Sequence, residues 1–598
     1  MNAANQFDLV VIGAGHAGCE AALAAARLGN KTLVITLNLD AVALMPCNPS
    51  IGGTGKSQLV REVDALGGQM ALVIDQATLQ SRTLNTGKGP AVHSLRAQAD
   101  KKVYQRLMKQ ALLAEENIEL RQGEVMDFLV RGGMIQGVRT VTGDSIACRA
   151  VVVASGVYLN SRVIIGDRDW AAGPQGLLSA TGLSKSLAGL GFDLRRFKTG
   201  TPARIDRRSI DFELMTPQPG DEPVEAFSFL KRHQPRNLMD CYLTWTNERT
   251  HELIAGNLHR SPMFSGSIKG TGARYCPSIE DKIHRFADKD RHQVFLEPEG
   301  LDGLEWYAQG LSSSLPEDVQ RPMYRSVKGL ERAVLTRLAY AIEYDCIDPT
   351  ELSPAMAARR VPGLFLAGQV NGTSGYEEAA AQGLMAGINA SRYLKGQEPF
   401  IITRDQGYIG VLTDDLCSKG VDEPYRMMTG RAEYRLSLRQ DNADLRLTGL
   451  GHAIGLADDK RLARMEEKQR QLAEYTKYLK DSGRLDALRR GEEAPEGPEA
   501  ARFDGEAVRQ AHIQIKYDGY LQKEAAQIRA AAAMEGHRLP EDTPYESISA
   551  LRIEARQKLS RQRPVSLGQA GRIPGVTPAD VAVLSVWLKK HRAGRDSA

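Results

Sequence analysis

The sequence predicts a Rossmann-type α/β fold, interrupted by an inserted domain and followed by an all-α C-terminal domain. Three observations carry this. A strand, a G-x-G-x-x-G loop, a small-residue helix and a second strand follow one another by residue 36. A later strand that runs into a glycine loop and a small-residue helix begins only near residue 363. From about residue 403 the β signals give way to long amphipathic helices.

FDLVVIG (7–13) carries an apolar run after Asp8 and reads as a buried strand. Gly13, Gly15 and Gly18 complete the motif, with Ala14, His16 and Ala17 between them. Glycine there permits a tight turn and lets a pyrophosphate approach the unpaired N–H groups at a helix N-terminus. The Ala-rich HAGCEAALAAARLG ends at Gly29, a C′ glycine, and KTLVIT (31–36) is the second strand. The motif therefore stands in the context that a dinucleotide fingerprint requires. The acidic residue that usually closes the second strand and holds the ribose hydroxyls is missing. Thr36 occupies that place, and Asn38 or Asp40 are the substitutes at hand. RAVVVASG (149–156) and GLFLAGQ (363–369) are further strands, the latter leading into VNGTSGYEEAAAQGLMAGINASRYL. A nucleotide fold that closes only after residue 390 is discontinuous. The expected division is 1–203 and 281–402 for the two parts of that domain, with 204–280 inserted between them. Residues 403–550 form a helical domain and 551–598 a C-terminal helical subdomain.

Of the 598 residues 42% are hydrophobic, enough for a large core and too many for a disordered chain. No apolar run reaches the roughly 18 residues of a membrane helix, and the N-terminal run lacks the basic flank of a signal peptide. Seven cysteines, never spaced CxxC, argue against a disulfide scaffold or a Cys-rich zinc site, and no histidine has metal spacing. A cytoplasmic protein without a metal or a membrane span is expected. The 77 Lys+Arg nearly balance the 73 Asp+Glu, for a formal charge of +4. Residues 551–598 hold ten Lys/Arg against three Asp/Glu, which suits either a polyanion partner or a solvated helical surface. Within them, Thr577 fits an N-cap, Pro578 the first helical position and Asp580 the third. The apolar residues that follow cover most of that helix's circumference, so it is expected to be buried or docked.

MPCNPSIGGTGKS (45–57) resembles a phosphate loop but fails as one, because Ser50 stands where the first glycine belongs and no strand precedes it. It reads instead as a turn carrying Cys47, then a glycine loop into a helix. Helix N–H groups and Lys56 would stabilise a thiolate there. Cys276 precedes Pro277, with Ser278 able to cap the next helix; each cysteine alone fits an inert buried thiol equally well. TGRAEYRLSLRQDNADLRL reads as a long amphipathic helix, on which Arg431, Arg435 and Arg439 fall at i, i+4, i+8, one stripe suited to phosphates or to surface ion pairs. His16 and His93 read as structural.

Taken together, GAGHAGCEAA, MPCNPSIGG, LNTGKGPAV, RYCPSIEDK and AGQVNGTSGYEEAAAQGLMAGINA closely resemble the tRNA uridine 5-carboxymethylaminomethyl modification enzyme family, known as MnmG or GidA. TGRAEYRLSLRQDNADLRLT and RPVSLGQAGRIPGVTPADVAVLSVWLKK resemble its C-terminal signatures, and the likeness runs from residue 7 to about 591. It implies an FAD-binding, glutathione-reductase-like fold, with NADH as reductant and methylenetetrahydrofolate as the one-carbon co-substrate. It also implies tRNA as substrate, a GTPase partner (MnmE) and a homodimer. By the same resemblance Gly13, Ala14, Gly15, His16, Ala17 and Gly18 form the FAD diphosphate loop, and Val125, Ser179 and Gln369 are further FAD positions. Ala273, Arg274, Tyr275, Cys276, Pro277, Ser278, Ile279, Glu280, Asp281 and Lys282 match the nicotinamide-nucleotide stretch, which assigns that role to the insertion. Residues 551–591 become the expected partner-docking helices, and Arg431, Arg435 and Arg439 the expected tRNA contacts.

Carbon 5 of uracil is a poor nucleophile. A thiolate adding at carbon 6 would create an enolate able to attack a methylene, after which an acid/base group must remove the carbon 5 proton. Cys47 and Cys276 are the expected catalytic pair, with their two roles unassigned. The rivals are a folate- and FAD-dependent tRNA uridine 5-methyltransferase, a disulfide oxidoreductase and a non-enzymatic flavin-stabilised scaffold for tRNA or a GTPase. The first lacks a comparable C-terminal helical region, and the second wants two neighbouring cysteines.

Overall fold

The computed structural model describes residues 6–272, 277–492, 500–540 and 542–595. Its organising sheet has five parallel strands. In chain order the elements are β1 (Leu9–Ile12), α1 (His16–Arg27), β2 (Thr32–Thr36), α2 (Lys56–Ala65), β3 (Ile118–Gln122), β4 (Ala150–Val153), β5 (Leu364–Leu366) and α3 (Tyr376–Leu394). The strand order is β5-β4-β1-β2-β3, with Leu9 opposite both Ala150 and Thr32. Every residue of β1, β2, β4 and β5 is buried, which is why these strands are continuous apolar runs in the sequence.

Glycine placement fixes how the helices meet this sheet. Gly13 turns with φ +98°, and a Cβ on it would fall 2.4 Å from the Ala154 carbonyl oxygen. A Cβ on Gly18 would fall 1.8 Å from the Gly13 carbonyl oxygen, so only glycine lets α1 start this close to β1. The same logic packs α3 on α1. Cβ atoms on Gly383 and Gly387 would lie 2.0 and 2.3 Å from the carbonyl oxygens of Ala17 and Ala21.

A second sheet leans over the C-terminal edge of the first. It joins Leu194–Thr201, Tyr340–Ile347, Arg162–Ile165 and Arg168–Ala171 antiparallel, with Thr271–Gly272 running parallel beside Leu194–Thr201. A third sheet of six antiparallel strands, from Arg204–Asp206 to Leu335–Arg337, has its own core bounded by Ala203 and Ala339. Ile279 and Ile283 belong to that core, so a boundary at 280 cuts through a packed helix, Ile279–Arg285. We draw the inserted unit at 203–339 for this reason. The strands Gln293–Pro298 and Glu305–Gln309 extend it past the expected end.

Beyond residue 403 the described chain is helical. Tyr408, Leu412 and Leu447 still join the main core, whereas Tyr475, Leu479, Ala511 and Ile515 form a small one between Asp459–Asp481 and Gly505–Lys516. A third core runs from Leu539 to Leu588. Thr577 caps Pro578–Arg595 as expected: the Asp580 carboxylate accepts from the Thr577 N–H at 2.9 Å, and the Thr577 hydroxyl accepts from the Asp580 N–H at 3.4 Å. That helix docks by one face, with Leu584 and Leu588 buried and Val586 54% exposed. No helix among the described residues is long and apolar enough to cross a membrane.

One expected element is absent. Residues 431–439 do not form a helix; turns fill the space between short 3-10 segments at Thr429–Arg431 and Gln440–Asn442. The buried demands of Arg439 explain this. It is 1% exposed and donates to Asp441, to the Leu436 carbonyl at 2.8 Å and to Gln510 at 2.6 Å, contacts that a straight helix would pull apart.

Candidate active site

The strand order reverses between β1 and β4, and the loops at their C-terminal ends part there, where open α/β sheets bind ligands. They frame a cleft of about 1550 Å³, counting its open mouth. Gly13, Ala14, Gly15, His16 and Ala17 line it from the first loop, Ser155 and Gly156 from the end of β4, and Gly368 and Gln369 from the end of β5. Gly18 lies beneath, as the packing contact already described.

The wall suits a dinucleotide. A Cβ on Gly15 would meet no protein atom within 4 Å, so this position holds open room at the head of α1. The Ser155 hydroxyl and His16 Nε2 are buried in the wall without a hydrogen-bond partner among the described residues, as groups awaiting a polar ligand are. His16 stacks on Tyr376 with centroids 4.5 Å apart, and burial pulls its pKa down to about 3, so it is neutral at pH 7. Among the candidate ribose anchors, Thr36 and Asn38 reach the cleft. Asp40 is turned outward to Lys109 at 3.2 Å. Glu124, a residue the sequence did not suggest, also lines this wall beside Gly123, whose N–H bonds the Thr36 carbonyl at 2.9 Å; the Glu124 carboxylate accepts from the Thr181 N–H at 3.2 Å. Val125 and Gln369 line the cleft. Ser179 stands behind it, accepting from the Ser161 N–H at 2.8 Å and donating to the Tyr158 carbonyl at 3.4 Å.

Cys47 lies half-buried on the same wall. Its Sγ is 3.3 Å from the Tyr307 hydroxyl and 3.6 Å from the Gly200 carbonyl. Its N–H donates to the Tyr376 hydroxyl at 3.1 Å. Arg204 donates to the Pro46 carbonyl at 2.7 Å and the Cys47 carbonyl at 3.1 Å, and Lys101 reaches the latter at 3.5 Å. Glu299 joins the two cations, 2.7 Å from Lys101 and 2.9 Å from Arg204. Burial lowers the Lys101 pKa to about 8, against the opposing pull of Glu299. Burial also works against the Glu299 charge, but Lys101 and Arg204 hold that carboxyl below its ordinary range. Lys56, the cation expected beside the thiol, instead pairs with Glu377 at 3.0 Å. Cys19, Cys148, Cys241, Cys346 and Cys417 are buried free thiols, and burial pushes Cys148, Cys346 and Cys417 up to about 12.

Ala273, Arg274, Tyr275 and Cys276 lie outside the described residues. Just before them, Gly272 pairs with Lys198, two residues ahead of the Gly200 that touches Cys47. Just after them, Ser278 caps Ile279–Arg285 as expected, accepting from the Asp281 N–H at 3.3 Å. Glu280 accepts from the Ser313 hydroxyl and the Ser314 N–H, Asp281 pairs with Arg285, and Lys282 donates to the Gly310 carbonyl. Pro277 to Lys282 serve the inserted unit and do not line the cleft.

The three arginines are not brought together as a stripe. Arg431 lies over the Tyr425 ring at 4.2 Å, Arg435 is exposed and Arg439 is buried. The residues missed from sequence are Lys101, Arg204, Glu299 and Tyr307. They meet at Cys47 from positions scattered over more than 200 residues, and no local spacing announces such a cluster.

The known proteins that resemble this chain fit the geometry. A profile described as glucose inhibited division protein A matches residues 8–398, and one described as the tRNA modifying enzyme MnmG/GidA C-terminal helical bundle matches 527–598. The chain is 52% identical to the tRNA uridine 5-carboxymethylaminomethyl modification enzyme MnmG of Heliobacterium modesticaldum, over 98% of each chain. It is equally similar, at 52% identity, to the enzyme of the same name from Lachnoclostridium phytofermentans. Aquifex aeolicus GidA, in its form II crystal, superposes with a TM-score of 0.90 at 44% identity, covering 98% of this chain and 99% of that one. With matches of this length at both ends of the molecule, the chain belongs to the MnmG/GidA family.

Proposed function

We propose that this chain is an FAD- and NADH-dependent tRNA modification enzyme. With a GTPase partner of the MnmE kind, it adds a carboxymethylaminomethyl or aminomethyl group to carbon 5 of the wobble uridine. Support comes from relatives named for that reaction at 52% identity, and from a dinucleotide cleft with a half-buried thiol on its wall. The placement of Cys47 carries the reading.

Bound in the cleft, FAD reduced by NADH would supply the reducing equivalents that uracil chemistry alone lacks. Gly13, Gly15 and the head of α1 would hold its diphosphate, with Ser155 and neutral His16 as polar contacts. Cys47 is fixed at both backbone atoms, its N–H on Tyr376 and its carbonyl on Arg204, so the thiol keeps one position in the cleft. A cysteine sulfide, that of Cys47 or of Cys276, adds to carbon 6 of uracil, and the ring's π pair moves to an enolate centred on carbon 5. That carbon attacks the methylene of the iminium formed from methylenetetrahydrofolate, and the C=N π pair moves to the folate nitrogen. The amine of glycine or ammonium later takes that nitrogen's place as the folate departs with its bonding pair. An acid/base group then removes the carbon 5 proton, the ring double bond re-forms and sulfur leaves with its bonding pair. Cys276 is the second thiol of this scheme, and either cysteine can hold either role.

The basic helices 551–591 dock the GTPase, and exposed Arg435 with half-buried Arg431 contacts tRNA. The protein works in the cytoplasm as a homodimer. Deleting residues 551–598 abolishes GTPase binding and spares FAD; unchanged partner affinity contradicts the docking role. For the activity itself, nucleosides from tRNA of a strain lacking this chain are measured by mass spectrometry with and without its return. The reading expects the wobble modification to vanish and reappear. A plain 5-methyl group at a T-loop uridine, or no change, contradicts it.

A further inference from the structure

The contact between Cys47 and the inserted unit has a chemistry of its own. Two acceptor-capable groups face the sulfur, and they favour opposite protonation states. The Gly200 carbonyl, at 3.6 Å, can only accept, so it favours the neutral thiol. The Tyr307 hydroxyl, at 3.3 Å, can donate, and a donor favours the sulfide anion. Tyr307 is 4% exposed, so its contact with sulfur is made largely out of water, where a hydrogen bond to a charge is strong. The Arg204 guanidinium lies 5.0 Å from the Tyr307 ring centroid, and a cation over a phenol makes its O–H the better donor. Arg204 and Lys101 also reach the carbonyl of the same cysteine, while Glu299 pairs with both cations and offsets part of their charge.

We infer that Tyr307 is a further catalytic residue, the hydrogen-bond donor that holds the Cys47 sulfide. This rests on the reading of Cys47 as a thiol that engages uracil. In the step concerned the S–H bond breaks, the proton passes to water and the electron pair stays on sulfur, where the phenol O–H meets it. Tyr307 keeps its own proton throughout, and it meets the pair again when sulfur leaves carbon 6. Because Tyr307 belongs to the strand Glu305–Gln309 of the inserted unit, the thiol is poised only when that unit is seated on the nucleotide domain.

The test uses the full-length, FAD-loaded protein and follows iodoacetamide alkylation of Cys47 against pH, read on its own peptide by mass spectrometry. Loss of one donor to a charged group in Tyr307→Phe raises the midpoint by about one pH unit or more, with the flavin spectrum unchanged. A midpoint equal to the wild type overturns the inference. If Tyr307→Phe does not fold, site-specific replacement of Tyr307 by 3-fluorotyrosine decides: its more acidic phenol lowers the midpoint, and no downward shift overturns the inference. Cys47→Ser separates the two layers. If that variant still modifies tRNA, the catalytic reading of Cys47 fails whatever the alkylation profile shows.

Discussion

The two walls of the cleft are built in different ways. The dinucleotide wall is led by one short stretch, Gly13 to Gly18, whose glycines allow close backbone approach, Gly18 to the Gly13 carbonyl and Gly13 to the Ala154 carbonyl. The Cys47 wall comes from Lys101, Arg204, Glu299, Tyr307 and Tyr376, held by ion pairs and hydrogen bonds between distant segments. The first depends on shape and tolerates no added atoms. The second depends on charge balance and tolerates no missing partner.

The largest effect expected from this contrast is at Gly18. Gly18→Val drives a side chain into the Gly13 carbonyl, so the protein loses its flavin absorbance and most of its folded yield. Gly15→Ala meets no protein atom and keeps the fold, weakening flavin affinity alone. Equal behaviour of the two variants breaks the shape argument. Next comes Arg204→Met, which strands Glu299 with Lys101 as its remaining partner. Removing one side of a buried ion pair costs about 3–5 kcal/mol, so denaturant unfolding shows a clear loss while a folded fraction still binds flavin.

A pH effect of intermediate size follows from Lys101. Its folded pKa, about 8, lies below the ordinary 10.5, so between those values the unfolded chain binds the extra proton. Stability contributed at this site therefore rises with pH across about 8 to 10.5 and is level below that window. In Lys101→Met this rise is lost, by at most about 3 kcal/mol. A wild type and variant with parallel stability–pH curves in that window contradict the assignment. The smallest effect is remote from both walls. Asp580→Asn weakens the cap of Pro578–Arg595 and its pairing with Arg552, costing about 1 kcal/mol in the C-terminal subdomain with no change in flavin binding.

Legibility in the sequence followed the same divide. Strands β1, β2, β4 and β5 were plain because each is buried on both faces, and the turn at Gly13 and the cap at Thr577 are local devices. Cys47 could be named from its loop. Its surroundings could not, because Arg204 and Tyr307 reach it through an antiparallel sheet whose pairing no single segment encodes. The arginine spacing at 431, 435 and 439 misled for a related reason. A period of four signals a helix only where nothing else claims the side chains, and Arg439 is claimed by Asp441 and Gln510. The cleft-lining Glu124 was also hidden, since it arrives after β3 and not at the end of β2.

The central claim joins a flavin cleft to a reactive sulfur, and Cys47→Ser tests it most directly. The purified variant is assayed for flavin content, for bleaching of the flavin by NADH, and for modified wobble uridine in tRNA supplied with the GTPase partner. The expected result is full flavin content, normal bleaching and no modified nucleoside. Wild-type levels of modification by a flavin-loaded Cys47→Ser protein would contradict the account.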